Sequence, residues 1–307
     1  MFAVGLLELL VLLTLVVLGV LLVVRVASGG RRVPSSRETR LVALTRAGGL
    51  LVGVAAAAVL LHGGSYGSGV MLAPAAAGLC LLLAVALGET VVRPRRVGGA
   101  RSASLRPRRV RDYLPRALSL AVGAQLVVTA AVLVLTTLTA SRDDDTGTVR
   151  AISCSAGGYG SSRTPYPGSF YSGPLALALL AVLAVAAVAA VQVVRRPRGL
   201  GPTDADDALR RRSLGVVVAA TGFAVSAPYA GIAVTAGIAL QGLAGGPHSC
   251  AAGWMRPVGI VLTLSALAAA VMVVTCLVQL VVGRAQVPAP AYPPAPQRPD
   301  DRDRLPR

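Results

Sequence analysis

Long apolar runs, broken by short stretches that carry either arginine or glycine, fill the chain almost from end to end. In lipid every backbone N–H and C=O must be bonded within its own segment, and a hydrocarbon layer of roughly 30 Å takes about 20 apolar residues as helix. Seven runs meet or approach that length, at about Val4 to Val24, Ala47 to Leu61, Val70 to Val92, Ala117 to Ala140, Leu175 to Val194, Leu214 to Leu240 and Val258 to Val282. The second is short, but neither arginine nor carboxylate intervenes between Arg46 and Glu89, so the glycine-rich stretch from Gly63 to Gly69 turns a tight hairpin between two helices. The pattern predicts an all-α fold: a polytopic membrane helix bundle of seven spans over residues 1–283. The remaining residues, 284–307, hold a proline-rich stretch from Pro288 to Pro296 and then mixed Asp and Arg, which reads as polyproline II and a disordered tail.

The first run has the length of a signal peptide, yet its start, Met1-Phe2-Ala3-Val4, lacks a positive n-region, and Arg25, Arg31 and Arg32 follow it. An uncleaved anchor fits that charge order. Orientation follows from arginine asymmetry under strict alternation of sides. The stretches Arg25 to Arg46, Arg93 to Arg116, Arg195 to Arg212 and the tail from Arg284 hold 26 of the 30 arginines. The other connections hold only Arg142, Arg150, Arg163 and Arg256. The positive-inside rule then puts the N-terminus outside and the C-terminus in the cytoplasm.

Composition agrees with this class and removes others. The 307 residues are 54% hydrophobic, 14% charged and only 4% aromatic, with a mean hydropathy of +0.69, too apolar for a soluble domain of this length. A net charge of +17 raises the question of nucleic acid. The charge sits in alternate loops instead of on one face, and few aromatics are present to stack on bases, so nucleic acid is not an expected partner. The basic loops, above all Arg106, Arg108, Arg109, Arg111 and Arg116, instead face the bilayer surface and would attract anionic lipid.

Ionisable groups at membrane depth mark pumps and transporters, and the runs nearly lack them. Glu8 sits about one turn inside the first run, Glu89 lies four residues before Arg93, and His62 closes the second run. The Asp143-Asp144-Asp145 run reads as a solvated patch. There is no GxSxG, HExxH or GxxxxGK, and only two histidines, His62 and His248. No catalytic residue, cofactor or metal site is expected.

Two features stand out from this background. The sixth run carries Pro228 at its middle with Ser226 and Tyr229 beside it, so a backbone hydrogen bond to the Ala224 carbonyl is lost and a kink is expected; Gln125 is a further polar residue at membrane depth. A cavity beside that kink, or close packing through small residues such as Gly222 and Ser226, would each use this composition. The second feature is a cysteine pair. Cys80 and Cys276 fall inside apolar runs, whereas Cys154 and Cys250 fall in two loops assigned to the outside, which makes a Cys154–Cys250 disulfide the expected pairing.

At Gly69-Val70-Met71-Leu72-Ala73-Pro74, and at Arg108-Arg109-Val110-Arg111-Asp112-Tyr113-Leu114-Pro115-Arg116, the chain resembles uncharacterised multi-pass integral membrane proteins of high-GC Gram-positive bacteria. The resemblance implies a bacterial plasma membrane and transfers no activity or site residue. The expected function is that of a non-enzymatic membrane protein acting through packing or partner contacts, with the connection Ser141 to Gly173 as its recognition surface. The alternative is a transporter or permease subunit for a small, weakly charged solute, using a cavity at Pro228.

Overall fold

The computed structural model describes residues 37–63, 65–91, 109–156, 158–196, 203–245 and 250–282. Six long helices account for most of them: α1 (Arg37–Gly63), α2 (Ser68–Val91), α3 (Arg116–Thr139), α4 (Ser169–Arg195), α5 (Thr203–Ala244) and α6 (Met255–Val282). Each is long and apolar enough to cross a membrane. The run from Val4 to Val24 and the tail 284–307 lie outside the described residues, so the spans seen among them number six and not seven.

The expectation of an all-α chain needs correction. Between α3 and α4 the chain folds into a three-stranded antiparallel sheet, β1 (Ser141–Arg142), β2 (Val149–Ala156) and β3 (Tyr159–Arg163), in the order β1-β2-β3. Ile152 pairs with Arg163 and Ala156 with Tyr159, so β2 and β3 form a hairpin whose turn includes Gly158. Gly158 has φ +82°, a conformation that costs glycine nothing. The sheet closes onto the bundle at Gly168, where a methyl group would overlap the Val149 carbonyl and lie 2.8 Å from the Ala140 Cβ.

Helix boundaries run past the apolar runs on the polar side. The fifth helix begins at Thr203, eleven residues before Leu214. Acidic residues at its start suit the positive end of the helix dipole, and Asp206 pairs with Arg210 one turn on, Nε to Oδ2 3.0 Å.

α5 is the axis of the bundle. It packs against α6, α2, α3 and α4, whereas α1 rests chiefly on α2. Within its apolar span 83% of α5 is buried, against 44% or less in the other five, although it is the least apolar of the six. Between apolar helices in lipid, association comes from close van der Waals contact and interhelical hydrogen bonds. The sequence supplies both. A methyl group on Gly222 would lie 2.6 Å from the Cys276 sulfur and 2.8 Å from Cγ2 of Val122, so α3 and α6 both close on α5 there. Gln241 donates across the α5–α6 seam to the Gly259 carbonyl, 3.1 Å, and to Thr263 Oγ1, 3.0 Å.

The outward faces of α1, α3, α4 and α6 are apolar, with Val59, Leu120, Leu177 and Val261 among many exposed aliphatic side chains. The bundle has two distinct ends. The sheet and the α1–α2 and α5–α6 connections share one, the sheet end; the α2–α3 and α4–α5 connections share the other, the arginine end.

Candidate interaction surface at the sheet end

The sheet is a cap fastened to the connections on either side of it. Cys154 on β2 and Cys250 just before α6 stand at disulfide distance, with Cα atoms 5.6 Å apart and a sequence separation of 96. The sequence placed both in one compartment, and the fold brings them together.

A second fastening runs to the α1–α2 turn. Tyr66 occupies the left-handed region at φ 52°, unusual for an aromatic residue and stabilised here from two sides. The Tyr171 hydroxyl, at the start of α4, donates to the Tyr66 carbonyl, 2.7 Å. The Arg150 guanidinium of β2 lies 4.2 Å from the Tyr66 ring centroid, a cation–π contact. Arg150 is itself held by Asp143, its Nε donating to Oδ2 at 2.7 Å and its NH2 closing a second, shorter bond. Thr146 donates to the same carboxylate oxygen at 3.1 Å. The hydrogen bond from Arg150 holds the Asp143 carboxyl below its ordinary value of 3.8, against the opposing effect of burial.

Asp143 is therefore not part of a solvated acidic patch: it is buried, while Asp144 and Asp145 are exposed. Tyr166, fully buried, ties the sheet to α3 through a 2.7 Å hydrogen bond between its hydroxyl and Thr139 Oγ1. Burial pushes the Tyr166 phenol above its ordinary 10.0. A third fastening is Arg163 at the end of β3, whose NH2 donates to the Gly242 carbonyl of α5, 3.4 Å. Among the residues that the cap exposes are Ser153, Ser155, Ser162 and Thr164.

The middle of α5 is closed. Tyr229 is 1% exposed and its hydroxyl meets Ser265 Oγ of α6 at 2.6 Å. The helix passes through Pro228 without interruption. Ser226 does not make good the bond lost at the Ala224 carbonyl, because its Oγ is buried with no hydrogen-bond partner. Gln125 stays on its own helix, with Nε2 3.4 Å from Thr129 Oγ1, and is not brought to Tyr229 or Ser226 by any hydrogen bond seen. Among the described residues no group of three or more His, Cys, Asp or Glu is placed to hold a metal ion.

At the arginine end the structure singles out Arg210, which the pattern of apolar runs does not mark. Only 2% exposed, it donates from NH1 to the carbonyls of Val193, 3.0 Å, and Val194, 2.6 Å, and from NH2 to that of Arg196, 2.7 Å. They are carbonyls of the last turn of α4 and of the residue that follows it, which have no partner inside the helix. Tyr113, on the turn before α3, donates to Asp207 at 3.1 Å and packs with Val193, Val194 and Leu214. Arg109, Arg111 and Arg116 remain exposed.

No family model, no curated protein and no solved structure matches the chain.

Proposed function

We propose that this chain is a seven-span integral protein of a bacterial plasma membrane, with the sheet end outside, and that it acts without catalysis by presenting the sheet to a protein partner. The observation that carries the reading is the contrast between the two regions where a function would reside. At the axis of the bundle Tyr229 is buried and bonded to Ser265, while the sheet is pinned to the α1–α2 and α5–α6 connections. A cap ordered before binding loses less conformational entropy on association than a flexible loop does.

The placement of aromatic residues supports the orientation of the bundle in a bilayer. Tyr66, Phe170 and Trp254, exposed or half-buried, lie at the sheet end, where rings with one wet edge settle at a membrane interface. At the other end the exposed Arg109, Arg111, Arg116 and Arg211 suit an anionic cytoplasmic leaflet.

The test combines labelling with photo-crosslinking in intact cells. Single cysteines at Ser162 and Arg211 should divide between outside and inside for an impermeant thiol reagent. A photoreactive residue at Ser153 or Ser155 should give a discrete protein adduct that the same residue at Leu264, on the lipid-facing side of α6, does not. Equal adduct patterns from the cap and from Leu264 would remove the partner reading.

The transporter alternative has one observation in its favour, the buried and unpartnered Ser226 hydroxyl beside Pro228. It requires water at that depth. A Tyr229→Cys variant modified by a small hydrophilic reagent in folded protein would move the conclusion to that reading.

A further inference from the structure

The two outer strands of the sheet differ. On one side β1 has two residues, and its register with β2 shifts between Ser141 and Arg142. A short, bulged edge is a poor template for further pairing. On the other side β3 runs for five residues, Tyr159–Arg163, in unbroken register with β2, and holds neither proline nor lysine. Ala156 and Tyr159 end the ladder with only two residues of chain between them, so they exchange both backbone bonds. Bonded and non-bonded pairs alternate from there. Cys154 with Ser161 and Ile152 with Arg163 are bonded pairs, whereas Gly160 and Ser162, opposite Ser155 and Ser153, turn their N–H and C=O groups away from β2. Among the described residues no backbone hydrogen bond from outside the sheet reaches either one. Both are exposed, and exposure of a glycine is exposure of backbone. A methyl group on Gly160 would have no neighbour nearer than the Cys154 carbonyl oxygen, 4.0 Å away across the ladder.

We propose that β3 is the docking edge of the cap: an extended segment of a partner protein adds to it as a fourth, antiparallel strand, with an acidic side chain against Arg163. The proposal rests on the partner reading of the cap and names the form and charge of what binds there. The outward N–H and C=O groups of Gly160 and Ser162 supply the pairing, the way an extended peptide joins an exposed sheet edge. The charge of the occupant follows from the arginines. Arg150 of β2 is paired with Asp143. Arg163, exposed at the end of β3, bonds among the described residues to a carbonyl, that of Gly242 at 3.4 Å, and to no carboxylate. A carboxylate on the incoming strand completes that charge and fixes which segments dock. A second copy of β3, which carries an arginine and no acid, would leave it unpaired.

Photo-crosslinking in intact cells tests the pairing, with full-length protein carrying a photoreactive residue at Gly160 or at Ser162 and the cross-linked positions located by mass spectrometry. Adducts from the two sites should fall on one protein other than this chain, two residues apart and in reversed order, beside an Asp or Glu. With the photoreactive residue at Gly160, Ser162→Pro should lower the yield severalfold, because it removes an outward N–H and no bond to β2. Ser162→Ala, which keeps that N–H, should not. Arg163→Gln, whose amide can still donate to the Gly242 carbonyl, should lower the yield by removing the charge. A non-reducing gel shows that each variant keeps the Cys154–Cys250 bond and hence the cap. The photoreactive residue at Ser153 or Ser155 separates the two levels of the argument. Adducts there with none at Gly160 and Ser162, or an undiminished yield in Ser162→Pro or Arg163→Gln, overturn the edge and leave the partner reading standing. Adducts to another copy of this chain overturn the edge proposal as well. No adduct from any of the four sites overturns both.

Discussion

Gly237 of α5 and Gly259 of α6 face each other so closely that a methyl group on Gly259 would lie 2.9 Å from the Gly237 carbonyl oxygen. Gln241 and Thr263 then bond across the gap the two glycines leave. The seam depends on the absence of side chains. Gly259→Val should force the helices apart and cost about 1–3 kcal/mol, the usual penalty for overpacking a close contact. Thermal unfolding in detergent should show a lowered midpoint for Gly259→Val and little change for Gly253→Ala, which meets nothing within 4 Å.

Removing Arg210 should be among the most damaging single changes at the arginine end. Arg210→Ala removes the ion pair with Asp206 and the donor to the carbonyls of Val193, Val194 and Arg196. Breaking a buried pair from one side costs about 3–5 kcal/mol. Arg210→Lys should recover part of the loss, because an ammonium reaches one or two of these oxygens but lacks the planar fork. Unfolding by denaturing detergent, compared with the exposed control Arg211→Ala, measures the difference.

The Asp143–Arg150 pair makes the cap acid-sensitive, and the sign follows from the shift. The folded-state pKa of Asp143 lies below 3.8, so its contribution is complete above that value and is lost as pH falls through the lower, folded one. Protease resistance of the sheet should therefore be flat near neutral pH and decline in strong acid. In Asp143→Asn this acid step should be missing, with resistance reduced at every pH. An unchanged acid step in that variant would assign the effect to another carboxylate.

Cys154→Ser with Cys250→Ser should loosen the cap and leave the helices standing. The chain-entropy treatment gives about 4.7 kcal/mol for closing a loop of about 100 residues in a free chain. The 96 residues here include two long helices already confined by packing, so the loss should be smaller. Limited proteolysis should cut at the Gly157-Gly158 hairpin in the double variant, and circular dichroism should report the same helix content as the parent chain.

The helices were legible because a run of some twenty apolar residues has few ways to satisfy its backbone in lipid. Their polar ends were not: the start of α5 at Thr203 is hidden by charge, and only the spacing of Asp206 and Arg210 reveals that the helix continues. The sheet was missed although its signal was present. A glycine pair in the sequence separates Val149–Ala156 from Tyr159–Arg163, but the weak alternation of β2 and the polarity of β3 made the stretch read as a loop.

The cysteine pair was readable from compartment alone, because alternation left only Cys154 and Cys250 in polar connections on the same side. Arg150 and Arg163 carried a fainter signal. They are two of only four arginines on the side where arginine is scarce, and both fasten the cap. That Asp143 would separate from Asp144 and Asp145 to hold Arg150 depends on a turn closed by Thr146 and Thr148, which sequence spacing does not reveal.

The burial of α5 bears on how the chain is made. This helix is the least suited of the six to stand alone in lipid, yet α2, α3 and α4, which shield it, all precede it in synthesis. Three of its four neighbouring helices are therefore in place when it leaves the ribosome, and α6, the one it packs against most, is still to come. A stall between Ala244 and Met255 would leave the Gln241 amide and the Tyr229 hydroxyl facing acyl chains.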